Sequence, residues 1–135
     1  NAYKVVDILK RKQYQLAIVS VAFSPVVEFF AKVLGIKHIS CPRLVVDSKG
    51  HFTGEVIANT KHNAFCCDYI ICKYESATEI MKGLDLSYNS CIAVGDGKSD
   101  ECLFKACSLS LAYKPKKEIG DIKIDNLSEI LVYVE

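Results

Sequence analysis

Neither sign of charge is in excess across the 135 residues: Lys plus Arg number 17 against 16 Asp plus Glu, a formal net charge of +1. Nucleic-acid and anionic-membrane surfaces leave a clear basic excess, so no nucleic acid and no membrane is expected as a partner. No apolar run approaches the roughly 20 residues that span a bilayer, and no secretory signal pattern opens the sequence. Position 1 is Asn rather than Met, and Asn1-Ala2-Tyr3-Lys4 reads as if cut from something longer. Internal repeats, low-complexity stretches and linkers are also missing. So is any C-x-x-C pair, although cysteine itself is plentiful at seven. Cys66, Cys67 and Cys72 cluster, with His62 four residues before Cys66. Structural zinc needs four ligands in tight local pairs, and no second pair is evident. The cysteines are therefore expected to be small buried hydrophobes, in a reducing, cytoplasmic setting.

What is present describes a folded domain. Half of the residues are hydrophobic and 24 % are charged, which excludes a disordered tail. The length suits one domain, residues 1–135, able to bury roughly 65–70 % of its unfolded surface without staples. Ala2, Val5, Val6 and Leu9 recur at helical spacing, and Lys10, Arg11 and Lys12 close that helix where cations suit its dipole. Leu16-Ala17-Ile18-Val19 is a continuous apolar run and predicts a strand covered on both faces. Ser24-Pro25 predicts an N-cap and N1 proline for a helix through Leu34, which Gly35 stops. A short strand is expected over 36–40, and a β-hairpin near 44–57 around Asp47-Ser48-Lys49-Gly50. Residues 58–72 are the least legible. Lys73 to Leu84 reads as helix, Ser90 to Val94 as a buried strand, Ser99 to Cys107 as helix and Leu109 to Tyr113 as strand. Asp125-Asn126 caps a last short helix through Leu131. Strands alternating with helices predict an α/β fold with a largely parallel sheet.

The strongest chemical signal is Cys91-Ile92-Ala93-Val94-Gly95-Asp96-Gly97-Lys98-Ser99-Asp100. A buried strand runs into a Gly-Asp-Gly turn, and a second carboxylate follows four residues on. Ligands of open α/β sheets bind at the carboxyl ends of strands, and two carboxylates there suit a hard cation such as Mg²⁺. Equally, the segment could be a tight turn with Asp100 favouring a helix N-terminus. Ser20, at the tip of the first strand, can bind a phosphate oxygen with nearby backbone N–H groups, although Ser commonly ends strands. Lys73, leading a helix, opposes the dipole and is locally costly unless it meets an anion; the plainer reading is a solvated lysine.

The order of these three features resembles the haloacid dehalogenase superfamily, and within it the phosphoserine-phosphatase-like branch. An apolar strand ends in Ser20, Lys73 leads a helix, and Gly95-Asp96-Gly97-x-x-Asp100 follows, with Asp96 lying 23 positions after Lys73. The hairpin with Phe52-Thr53-Gly54-Glu55, the run Leu111-Ala112-Tyr113-Lys114-Pro115-Lys116 and the stretch Asp125-Asn126-Leu127-Ser128-Glu129-Ile130-Leu131 are similar to that branch as well. The resemblance implies a Rossmann-like core and Mg²⁺-dependent hydrolysis of a small phosphorylated metabolite through an aspartyl-phosphate. It implies Ser20 and Lys73 on the phosphoryl group, with Lys73 neutralising charge there. Asp96 would ligate Mg²⁺, and Asp100 would hold the metal's water shell or the nearby loop.

The family's first motif, D-x-D-x-[TV], is missing: no D-x-D occurs anywhere, and Asp7, Asp121 and Asp125 do not fit it. The helical cap that follows that motif is missing too. Val21-Ala22 replace the glycines usual after Ser20, and residues 58–72 are longer than the usual connection into Lys73. The chain is thus expected to be the part of a phosphatase that lacks the nucleophile and central strand. The alternative is a catalytically inactive binding or regulatory domain. With a central strand missing, the chain is expected to pair strands 16–19 and 91–94 directly, to dimerise across the opening, or to be completed by an N-terminal segment.

Overall fold

The computed structural model describes residues 1–59, 66 and 69–134. Helix α1 (Ala2–Arg11) leads into strand β1 (Ala17–Val19), helix α2 (Ser24–Leu34) and strand β2 (His38–Ser40). A hairpin of β3 (Arg43–Val46) and β4 (Phe52–Ile57) precedes helix α3 (Lys73–Gly83). Strand β5 (Ile92–Gly95), the short helix α4 (Glu101–Phe104), and strands β6 (Leu109–Tyr113) and β7 (Ile122–Ile124) complete the order. Turns of 3₁₀ helix fill Tyr88–Ser90, Lys98–Asp100 and Leu127–Val132.

Strands β5, β6 and β7 form a parallel sheet in that order, while β1 pairs with β2, also parallel, and β3 with β4 antiparallel. Side chains of β6 alternate between two cores, as the pleat requires. Leu111, fully buried, joins Val5 and Leu9 of α1 with Ile124 and Ile130 on one face. Ala112 joins Ala77 and Met81 of α3 with Ala93, Leu103 and Phe104 on the other. The sheet is thus covered by α1 and the last 3₁₀ turn on one side and by α3 and α4 on the other. Among the described residues no helix is long and apolar enough to cross a membrane.

Several expectations change in detail. β1 is not covered on both faces: Ala17 is exposed and Ile18 and Val19 are half-buried. Nor does it pair with β5. Helix α3 packs against β1, β2 and α4, so a helix rather than strand pairing connects the two parallel sheets. Phe23, not Ser24, is the N-cap of α2; Ser24 Oγ instead accepts from the Leu44 amide at 3.1 Å, tying α2 to the hairpin. The strand at 90–94 begins later, after the Tyr88–Ser90 turn. The helix at 99–107 is cut to α4, because Ala106 and Cys107 donate three residues back, to Leu103 and Phe104, and tighten its end. β7 was not expected; at three residues it is too short to show a period. The last helix is 3₁₀, with Asn126 capping Ser128 N at 3.1 Å. Gly35 stops α2 in the left-handed region at φ 60°. Helix α2 buries Val27 and Ala31 but leaves Val26, Phe29, Phe30 and Val33 exposed.

The cysteines divide. Cys72 and Cys102 are buried as expected, but Cys91 and Cys107 are joined by a disulfide, Cα–Cα 4.8 Å, across 16 positions. That bond corrects the expectation of reduced cysteines throughout. The considered cluster of His62, Cys66, Cys67 and Cys72 includes His62 and Cys67, which lie outside the described residues. Closing a loop of this size stabilises by about 3 kcal/mol through the unfolded chain. Adding a thiol reductant should therefore lower the unfolding free energy of the chain by about that amount, read from urea midpoints with and without reductant.

Asp121 joins β7 to β6: its Oδ2 accepts from Ser110 N at 2.9 Å and Ser110 Oγ at 2.7 Å. The Ser110 hydroxyl and then its amide hold the Asp121 carboxyl below its ordinary value of 3.8. A carboxyl lowered on folding adds stability above its unfolded pKa, and that contribution is lost as pH falls through the folded one. Asp121→Asn should accordingly destabilise at pH 6, with the difference from wild type shrinking below pH 4 in urea titrations at each pH.

Candidate active site

The carboxyl end of β5 carries the candidate site. After Gly95 the backbone turns sharply, and the Asp100 carboxylate folds back into the turn: Oδ2 accepts from the amides of Asp96 at 2.9 Å and Gly97 at 3.1 Å. Its other oxygen, Oδ1, accepts from Lys73 Nζ at 2.6 Å. Both partners are buried, with side-chain exposures of 8 % and 6 % for Lys73 and Asp100. Two charges leave water at a cost of several kcal/mol per ion, and only close pairing with further hydrogen bonds offsets it. Asp100 meets that condition with three donors. Lys73, the first residue of α3, is thus neither solvated nor alone against the dipole.

Gly95 is required here by space. A methyl at that position would lie 2.5 Å from Asp100 Cβ and press on its carboxylate. Asp96, by contrast, is exposed at the tip, with its amide committed to Asp100. Of the two carboxylates assigned to a metal, Asp96 is open at the surface and Asp100 is engaged on both oxygens. Among the described residues there is no group of three or more Asp, Glu, His or Cys that could hold a metal ion. Mg²⁺ is commonly held by one or two carboxylates completed by waters and substrate phosphate oxygens, so the exposed Asp96 fits that ion only with such completion.

Ser20 sits at the end of β1, half-buried, with its amide donating to Ser40 O at 2.9 Å. Its Oγ accepts from Ala22 N at 3.0 Å, so one of the backbone donors following the strand is turned onto the serine itself. Ser40 Oγ in turn donates to Ser76 Oγ on α3 at 2.8 Å. The two sheets' strand ends, with Ser20 on one and Asp96 on the other, are therefore joined through the first turns of α3, where Lys73 and Ser76 lie. Two concavities, of about 340 Å³ beside Tyr74 and Tyr88 and about 330 Å³ between α2 and the hairpin, lie away from this cluster. The buried charges converge on the strand-end cluster and not on either concavity.

Sequence reasoning missed Ser40, Ser76 and Asn59, which support the cluster. Ser76 could have been found from its position three residues after Lys73, on the same helix face. Asn59 lies 14 positions from Lys73 and gives no such local signal. Of the carboxylates weighed for the nucleophile, Asp7 pairs with Arg11 at 2.6 Å on an exposed face, Asp121 is bound to Ser110, and Asp125 lies 3.6 Å from Lys123 Nζ.

Residues 1–105 match the model of the haloacid dehalogenase-like hydrolases. The chain belongs to that family. It is similar to a phosphoserine phosphatase of Methanocaldococcus jannaschii, at 33 % identity over 141 aligned positions, covering 100 % of this chain and 63 % of that protein. Phosphoserine phosphatase in its apo form superposes with a TM-score of 0.82 at 30 % identity, covering 100 % of this chain and 66 % of the other. A phospho-aspartyl intermediate analogue of phosphoserine phosphatase gives 0.82 and 30 %, covering 63 % of its chain. The haloacid dehalogenase-like core seen here is thus of the phosphoserine-phosphatase-like branch, and spans just under two thirds of the length of these relatives.

The buried pair should dominate local stability. Asp100→Asn leaves the Lys73 ammonium buried without a counter-charge and should cost about 3–5 kcal/mol in urea unfolding. Gly95→Ala should cost about 1–3 kcal/mol in the same measurement, because it displaces the same carboxylate.

Proposed function

We propose that this chain supplies the phosphate-binding and Mg²⁺-binding part of a phosphomonoester hydrolase acting on a small phosphorylated metabolite of the phosphoserine type. The observation that carries the reading is the buried Lys73–Asp100 pair at the carboxyl ends of parallel strands. Phosphoryl transfer needs positioning and spread positive charge more than covalent help from the protein. Lys73 provides a fixed ammonium, held by Asp100 so that it does not swing into solvent. The Ser20 hydroxyl donates to a phosphoryl oxygen, while Val21 and Ala22 narrow the space beside it. Asp96 would hold Mg²⁺ together with substrate oxygens and water; Asp100 acts through the loop and through Lys73. The bound metal would neutralise charge on the phosphoryl oxygens.

The reaction of this reading runs in two steps. A carboxylate attacks phosphorus, the alcohol leaves with a proton, and water then hydrolyses the aspartyl-phosphate. The attacking Asp lies outside these 135 residues, since D-x-D is absent from them. The edges of β1 and β5 that lack a strand partner among the described residues support this, as places where the strand bearing it would pair. That strand comes from an N-terminal segment, or a second copy of the chain covers the edges. A cytoplasmic setting belongs to the same proposal, and the Cys91–Cys107 bond is the feature that weighs against it.

The pure 135-residue chain should hydrolyse no phosphoserine at any Mg²⁺ concentration, whereas the protein from its natural source should exceed 15.0 kDa and do so. Turnover by the short chain would overturn the missing-nucleophile reading. An inactive natural protein of 15.0 kDa would favour a binding or regulatory domain.

A further inference from the structure

Asn59 follows the hairpin and lies 13 positions before Cys72, yet its side-chain amide is paired to the Cys72 peptide groups. Oδ1 accepts from Cys72 N at 3.1 Å, and Nδ2 donates to Cys72 O at 3.3 Å. Nδ2 also donates to Ser76 Oγ at 3.0 Å, and Ser76 Oγ accepts from Ser40 Oγ at 2.8 Å. Cys72 is fully buried and Ser76 is 1 % exposed, so water does not reach either residue to replace a lost partner. Cys72 is the N-cap of α3 and uses no side-chain cap of its own. Its carbonyl belongs to the peptide unit that leads into Lys73, so the Asn59 amide fixes the plane from which the Lys73 side chain departs. Through Ser76 and Ser40 the same network reaches Ser20, whose amide donates to Ser40 O.

We infer that Asn59 is a positioning residue for Lys73, and that Asn59, Ser76 and Ser40 form one hydrogen-bonded unit setting the Lys73 ammonium relative to the Ser20 hydroxyl. The inference rests on the reading of Lys73 and Ser20 as phosphate-binding groups. The chemistry of the unit suits the task. An Asn amide offers an acceptor and a donor in one plane, matching the N–H and C=O of a single residue. Its three bonds leave little rotational freedom. Ser76 lies three residues after Lys73, so it holds the same helical turn from the inside. Removing Asn59 takes a partner from both peptide groups of Cys72, and removing Ser76 takes the acceptor from Ser40 Oγ, so the turn carrying Lys73 is the part able to relax.

The test uses the full 135-residue chain with inorganic phosphate and Mg²⁺ as probes, followed by NMR shifts at Ser20 and Lys73, alongside amide hydrogen exchange. Asn59→Ala and Ser76→Ala should each weaken phosphate binding about tenfold, with the double variant little worse than either, as expected for groups that act as one unit. Amides of 72–76 should exchange about tenfold faster, while those of β5 and β6 keep their rates. Asn59→Asp keeps the acceptor for Cys72 N but loses both donations, and should fall between wild type and Asn59→Ala; it also serves if the alanine variant does not fold. Unchanged exchange at 72–76 overturns the inference, as does faster exchange with unchanged phosphate binding, which would make the unit a staple of the fold only. If wild type shows phosphate-dependent shifts that Lys73→Ala abolishes and Asn59→Ala leaves intact, the inference alone fails. If wild type shows none at Ser20 or Lys73, the phosphate reading fails, and the inference about a phosphate-positioning unit fails with it.

Discussion

A buried ammonium and a buried carboxylate must find each other, and the neighbourhood of Lys73 and Asp100 is organised by that demand. An isolated charge in this position would be neutralised or expelled. Paired at 2.6 Å, with the second carboxylate oxygen taken up by two amides of its own turn, the charges are tolerated and fixed in direction. The glycine before the turn gives the carboxylate room, since a side chain at 95 would occupy the same space. The start of α3 is thereby tied to the end of β5, and two segments 27 positions apart share one geometry.

Helix α3 carries the larger architectural duty. Its inner face puts Ala77 and Met81 on the sheet of β5, β6 and β7, while its first turns reach β1 and β2. Strands β1 and β5 have no hydrogen bonds to one another. Their relative placement therefore depends on side-chain packing and on polar links such as Ser40 to Ser76, rather than on a shared ladder. A helix can link two sheets this way because residues at i, i+3 and i+4, such as Lys73, Ser76 and Ala77, share one buried face whose successive turns meet different partners.

Much of this was readable in the sequence because it rests on local rules. The period of α1, the stop at Gly35, the hairpin around Asp47 to Gly50 and the apolar run of β6 each announce themselves within a few residues. The Gly95-Asp96-Gly97 turn and Asp100 were legible as a pair for the same reason. What was not legible depends on distant partners. Whether Lys73 is solvated or buried is decided by Asp100. The three residues of β7 become a strand only because β6 lies beside them. Ser24 looked like a cap, but the Leu44 amide claims its hydroxyl. The disulfide joins Cys91 and Cys107, neither of which stands in a recognisable spacing. The role of Asn59 is of this kind too, since nothing near it in the chain mentions Cys72.

That last contact bears on how the fold tolerates change. Because the Asn59 amide clasps the Cys72 peptide, the chain between them is closed at its base whatever its length. Lengthening a closed connection is thermodynamically mild, about 0.6 kcal/mol for each doubling. The first turn of α3 is thereby anchored at Cys72 by a residue from before the connection, and the buried Ile71 beside it extends that anchor into the core.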